Sequence, residues 1–115
     1  METIQRIILP EDETTRRGLE SKLAEYLAIM DELTAQPIRT PELGRVFADA
    51  GCRALIAQKL LLNGEIDTAQ LLQEIKRRHG GPVDESLYYE AVRVIDDYCR
   101  TGGRNVGNGT NFIFH

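Results

Sequence analysis

Residues 60–72 read Leu-Leu-Leu-Asn-Gly-Glu-Ile-Asp-Thr-Ala-Gln-Leu-Leu, and they make the chain end one helix and begin another within a few positions. Asn63-Gly64 is a pair able to enter the left-handed region where an incoming helix ends, with Gly64 just past the cap. Asp67 then accepts from the free N–H groups of a new first turn, Gln70 reaches back in a capping box, and Ile66 staples onto Leu71. Stop and start signals this close together specify the corner of a helical hairpin.

The same grammar sets the other helices. From Arg16 to Ala35 the apolar positions Leu19, Leu23, Tyr26, Met30 and Leu33 are spaced 4, 3, 4 and 3, a heptad seam that Leu27 widens. Gln36-Pro37 halts it, and Thr40-Pro41-Glu42 restarts a helix with a capping hydroxyl, proline at the first helical position and an acid in the first turn. That second helix mixes Leu43, Val46, Phe47, Leu55, Ile56 and Leu60 with the small residues Gly44, Ala48, Gly51, Ala54 and Ala57, the composition of a helix approached closely by others. Asp84 caps a fourth helix, with Val83 stapled to Tyr88 and a wide apolar face through Leu87, Ala91, Val94 and Tyr98. Asp96-Asp97 is expected on its outer side.

Four helices near 15–35, 41–62, 68–79 and 84–101 are therefore expected, in an all-α, four-helix bundle-like single domain over residues 1–115. Two extended arms, residues 1–10 and 104–115, lie outside them. Residues 3–9 are rich in β-branched side chains and stop at Pro10, so they suit a short strand. Phe112-Ile113-Phe114 is an apolar tail of the same character. A lone strand pair is barely stable in water, so both arms need something to pack on. Pairing or exchange across a homodimer is expected to supply it, with the seam of the first helix as the other contact.

The 115 residues carry a net charge of −4, which disfavours broad attraction to nucleic acid or anionic lipid. No apolar run approaches the roughly 20 residues of a membrane span. The opening Met-Glu-Thr-Ile-Gln-Arg lacks the basic start and apolar centre of a signal peptide, so a cytoplasmic location is expected. Cys52 and Cys99, far apart and in no CxxC pattern, read as buried small hydrophobes in a reducing compartment. With His79 and His115 they also lack the paired spacing of zinc ligands, so no metal and no cofactor is expected.

Candidate chemistry is sparse. Arg53, Lys59, Lys76, Arg77 and Arg78 are the candidate contacts for an anion or nucleic acid. A break at Gly51-Cys52 would turn residues 43–62 into a helix-turn-helix with Arg53, Gln58 and Lys59 on its reading helix, although most of that helix is apolar. Lys76-Arg77-Arg78-His79 also has a structural reason to exist, since cations favour a helix C-terminus. No nucleophile motif or nucleotide loop is visible; Tyr88, Tyr89 and Glu90 meeting in a cleft is the catalytic alternative. The glycines after residue 101 follow a helix rather than precede one, unlike a phosphate loop.

Residues 63–72 resemble the second half of an EF-hand, with a central glycine and a following isoleucine. The register puts Lys59 and Leu61 where oxygen ligands belong and Gln70 in place of the closing glutamate, so calcium binding is not implied. The helix-turn rhythm from Gly64 through Gly102 is similar to pentatricopeptide-type repeats over about one and a half units, fewer than a stable stack needs. The expectation is a small interaction or regulatory module, homo-oligomeric, in the manner of an inhibitor or immunity-type protein. Its alternatives are a DNA-binding regulator and a small helical enzyme or enzyme subunit.

Overall fold

The computed structural model describes residues 4–37, 40–80 and 83–102. They form β1 (Arg6–Ile8), α1 (Glu13–Thr34), α2 (Pro41–Asn63), β2 (Glu65–Asp67), α3 (Thr68–His79) and α4 (Glu85–Thr101). The helix boundaries follow the capping residues. Asp12 accepts from Thr14 N–H and from the Thr15 hydroxyl, Thr40 from Leu43 N–H, Asp67 from Gln70 N–H and Asp84 from Ser86 and Leu87 N–H. α2, α3 and α4 each end on a left-handed glycine, with φ 83° at Gly64, 71° at Gly80 and 68° at Gly102.

The helices run alternately up and down. Arg16 reaches the Leu61 carbonyl at 3.0 Å, near the far end of α2, while Met30 approaches Gly51, so α1 and α2 are antiparallel. Lys59 pairs with Glu74 at 3.4 Å where α3 returns along α2. α4 reverses again, starting where Arg45 meets Asp84 at 3.4 Å and ending with Gly102 beside Thr15. α1 and α4 touch at Gly18, where a Cβ would stand 1.7 Å from the Tyr98 hydroxyl. A side chain at this position would have to displace the Tyr98 hydroxyl.

The N-terminal arm does not stand outside the bundle. β1 pairs antiparallel with β2 in the register Arg6 to Asp67, Ile7 to Ile66 and Ile8 to Glu65. The α2–α3 corner thus contains a strand, because leaving the left-handed Gly64 in extended conformation exposes backbone groups that β1 satisfies. Ile7 is fully buried and Ile66 nearly so, which puts both in the main core with Leu19, Ile56, Leu60, Tyr88 and Ile95. Thr68 joins three elements. Its N–H donates to the Gln5 carbonyl at 3.0 Å, its hydroxyl to the Ile4 carbonyl at 2.6 Å, and its carbonyl accepts from the Tyr88 hydroxyl at 2.6 Å.

Asp96 also departs from the outward position expected of it. It is buried and holds Arg100 at 3.0 Å, one turn on, where the exposed arginine covers it.

Candidate functional site

The α1 seam is used within the chain. Leu19, Tyr26 and Leu33 are buried and Leu23 and Met30 partly so, while Leu27 on the seam's flank stays 47% exposed. The first three therefore reach no second subunit without opening the fold, and the seam is an internal helix contact. Phe112, Ile113 and Phe114, the other expected interface residues, lie outside the described residues, as does His115.

Four of the five candidate basic residues, Arg53, Lys59, Lys76 and Arg78, are held by structural partners. Arg53 is only 3% exposed and lies 3.1 Å from Asp49, with a hydrogen bond to the Tyr26 hydroxyl. Burial raises the pKa of Tyr26 and of Asp49, and in each case the Arg53 guanidinium opposes the shift without cancelling it. Arg53 is thus a core residue rather than a base-reading one. α2 runs unbroken through Gly51-Cys52, so the turn a helix-turn-helix requires is absent from it. Lys59 and Arg78 share Glu74, at 3.4 and 3.3 Å, and Lys76 meets Glu85 at 2.6 Å. Arg77, exposed, borders the same polar surface as Lys59 and Glu74.

The Tyr88 and Tyr89 rings meet edge-on, with centroids 5.6 Å apart, but the three side chains do not gather in one cleft. The Tyr88 hydroxyl is committed to the Thr68 carbonyl inside the core, Tyr89 is 46% exposed, and Glu90 pairs with Arg93. Successive helical residues point about 100° apart, which is why three neighbours cannot share one cleft wall.

What the fold does leave open is an apolar cleft of about 400 Å³ between α2, α3 and α4. Ala48, Gly51, Cys52 and Leu55 form its α2 wall, Ile75 and His79 its α3 wall, and Leu87 closes it from α4. Its floor exists because α2 presents small side chains at 48, 51 and 52. The rim is polar through His79 and Asp84. Asp84 already caps α4, and the Ser86 hydroxyl holds its pKa below the usual carboxylate value. Burial, reinforced by Asp49 and Asp84, pushes the Cys52 thiol up. That thiol stays protonated at neutral pH and is poorly suited to nucleophilic attack or soft-metal binding. Cys99, raised to about 11 by burial, is inert for the same reason.

Among the described residues, no group of three or more His, Cys, Asp or Glu could hold a metal ion. No helix there is long and apolar enough to cross a membrane.

The chemistry the cleft offers is therefore shape and apolar surface with a hydrogen-bonding rim. Sequence reasoning noted the small residues of α2 but could not place them, since helix approach and open space use the same residue types. Thr68, Thr15 and Gly18, each important to the packing, gave no signal distinguishing them from ordinary surface residues. No family model matches the chain, and comparison with curated proteins and with solved structures likewise gave no match.

Proposed function

We propose that this chain is a small helical interaction module that receives apolar side chains of a partner protein in the cleft between α2, α3 and α4, with a second copy of itself as the first occupant to test. The observation that carries this reading is the cleft itself: walls of Ala48, Gly51, Cys52, Leu55, Ile75 and Leu87, with a volume near 400 Å³. Apolar surface in a concave site gains free energy when a partner displaces its water, at about 25 cal/mol per Å². The pairing of Lys59, Lys76 and Arg78 with acids supports a protein partner over a nucleic acid, because each phosphate contact would first have to break an ion pair.

Ala48 is exposed on the cleft wall, so Ala48→Trp fills the cleft without entering the core. Sedimentation of wild type and A48W at matched, rising concentrations tests the reading. Wild type is expected to associate as concentration rises and A48W to stay monomeric with unchanged helix content. Equal association of the two proteins would remove the cleft from the mechanism, and a strictly monomeric wild type would remove self-association.

A further inference from the structure

The two halves of α3 are held in different ways. The first half is anchored. Thr68 is hydrogen-bonded to the Gln5 and Ile4 carbonyls and to the Tyr88 hydroxyl, and Thr68, Leu71 and Leu72 are buried. In the second half, from Gln73 to His79, no residue is buried. Its one apolar side chain is Ile75, half-buried, which lines the open cleft. Ion pairs supply the other contacts: Lys59 meets Glu74 at 3.4 Å from α2, and Lys76 meets Glu85 at 2.6 Å on α4. Partly exposed pairs hold weakly, because water competes for both partners. A stretch with so little buried apolar surface is where a native structure opens most readily.

That stretch is nevertheless a well-made helix end. Gly80, in the left-handed conformation, donates its N–H to the Lys76 carbonyl at 3.3 Å. Lys76, Arg77, Arg78 and His79 place positive charge at the carbonyl end of the helix, where it is favourable. The second half of α3 is thus built to move as a helix rather than to unwind. Movement there acts on the cleft, since Ile75 and His79 are its α3 wall. Lys76–Glu85 joins that wall to the first turn of α4, beside the lining residues Asp84 and Leu87.

We propose that the C-terminal half of α3 is a flap over the cleft: α3 tilts about its Thr68–Leu72 anchor, and the Lys76–Glu85 ion pair is the clasp whose release widens the cleft for an apolar group. The nature of the occupant rests on the function proposed for the cleft. The tilt itself does not.

The Cys52 thiol on the α2 wall reports the opening, and Cys99, buried in the core, reports the fold. Full-length wild type, Lys76→Met and Glu85→Gln are labelled at one pH with N-phenylmaleimide, a neutral apolar reagent, and each modified cysteine is followed by peptide mass. The two variants release the same clasp but change the net charge in opposite directions, so a mere effect of charge on the thiol would drive their rates apart. Both are expected to label Cys52 about two- to fivefold faster than wild type, the range set by the worth of a partly exposed ion pair, with Cys99 unchanged. If either variant labels Cys52 no faster than wild type, or if Cys99 speeds up in step with Cys52, the flap is overturned. The cleft's role in association is judged instead by wild type against A48W, so the two failures are told apart.

Discussion

The two sides of α2 are built from similar residues and do opposite things. One side presents Arg53, Ala54, Ala57 and Leu60, all 6% exposed or less, and is closely packed over that stretch. The other presents Ala48, Cys52 and Leu55 to α3 and α4 and leaves a cleft of about 400 Å³. Small side chains permit close helix approach only where a neighbouring helix comes close enough to use them. α1 is tied to α2 from Arg16 at Leu61 to Met30 at Gly51, with a second space of about 350 Å³ only beyond that stretch, at Leu33, Leu43 and Phe47, whereas α3 is 12 residues long and held partly by exposed ion pairs. The short helix leaves the space.

The sharpest way to break this comparison is on the packed side. Arg53→Ala would strand a largely buried Asp49 and lose the hydrogen bond to Tyr26, costing about 3–5 kcal/mol. Replacing both partners, Arg53→Met with Asp49→Leu, should recover most of that loss, since apolar residues of similar volume often match a buried ion pair. Chemical denaturation of the three proteins checks it; a double variant as unstable as R53A would mean that the ion pair does more than fill space.

Next in size is a matched pair of insertions. Ala57→Leu, at a fully buried position, should destabilise by about 1–3 kcal/mol through overpacking. Ala48→Leu, on the cleft wall, should fall within about 0.5 kcal/mol of wild type. Equal costs at the two sites, read from the same denaturation curves, would show that the two sides are packed alike.

The smallest effects are those of pH, and they have opposite signs on the two sides. The pKa of Asp49 is raised by burial, so its contribution is present below 3.8 and is lost as pH rises through its folded value. The pKa of Asp84, at the cleft rim, is lowered by its cap hydrogen bonds, so its contribution is present above 3.8 and is lost as pH falls through its folded value. The stability of wild type relative to Asp49→Asn should therefore fall as pH rises, and its stability relative to Asp84→Ala should rise. Thermal midpoints across the acid range give both slopes; a common sign would contradict the assigned environments.

These contrasts explain how much was readable from the sequence. Caps and terminators act within four residues, so Thr40-Pro41, Gly64-to-Asp67 and Asp84 marked helix ends to within a residue or two. Heptad spacing identified the α1 seam but not what it meets, because the pattern is the same for a partner helix in the same chain and in another. Arg53 shows the limit most clearly: an arginine on a mostly apolar helix has the same sequence signature whether it reads a nucleic acid or pairs inside the core, and only the positions of Tyr26 and Asp49 decide. The Ile4–Leu9 arm was legible as a strand, yet its partner at residues 65–67 is about sixty residues away and carried no local mark.

On the proposed reading, α2 receives a partner on its cleft side and is structural on its packed side. Methyl NMR across a concentration series tests it most directly. Shifts that grow with concentration are predicted at Leu55, Ile75 and Leu87, with Leu19, Ala57 and Leu60 unmoved. Shifts confined to other surfaces, such as Leu27 on α1, or no concentration dependence at all, would contradict it.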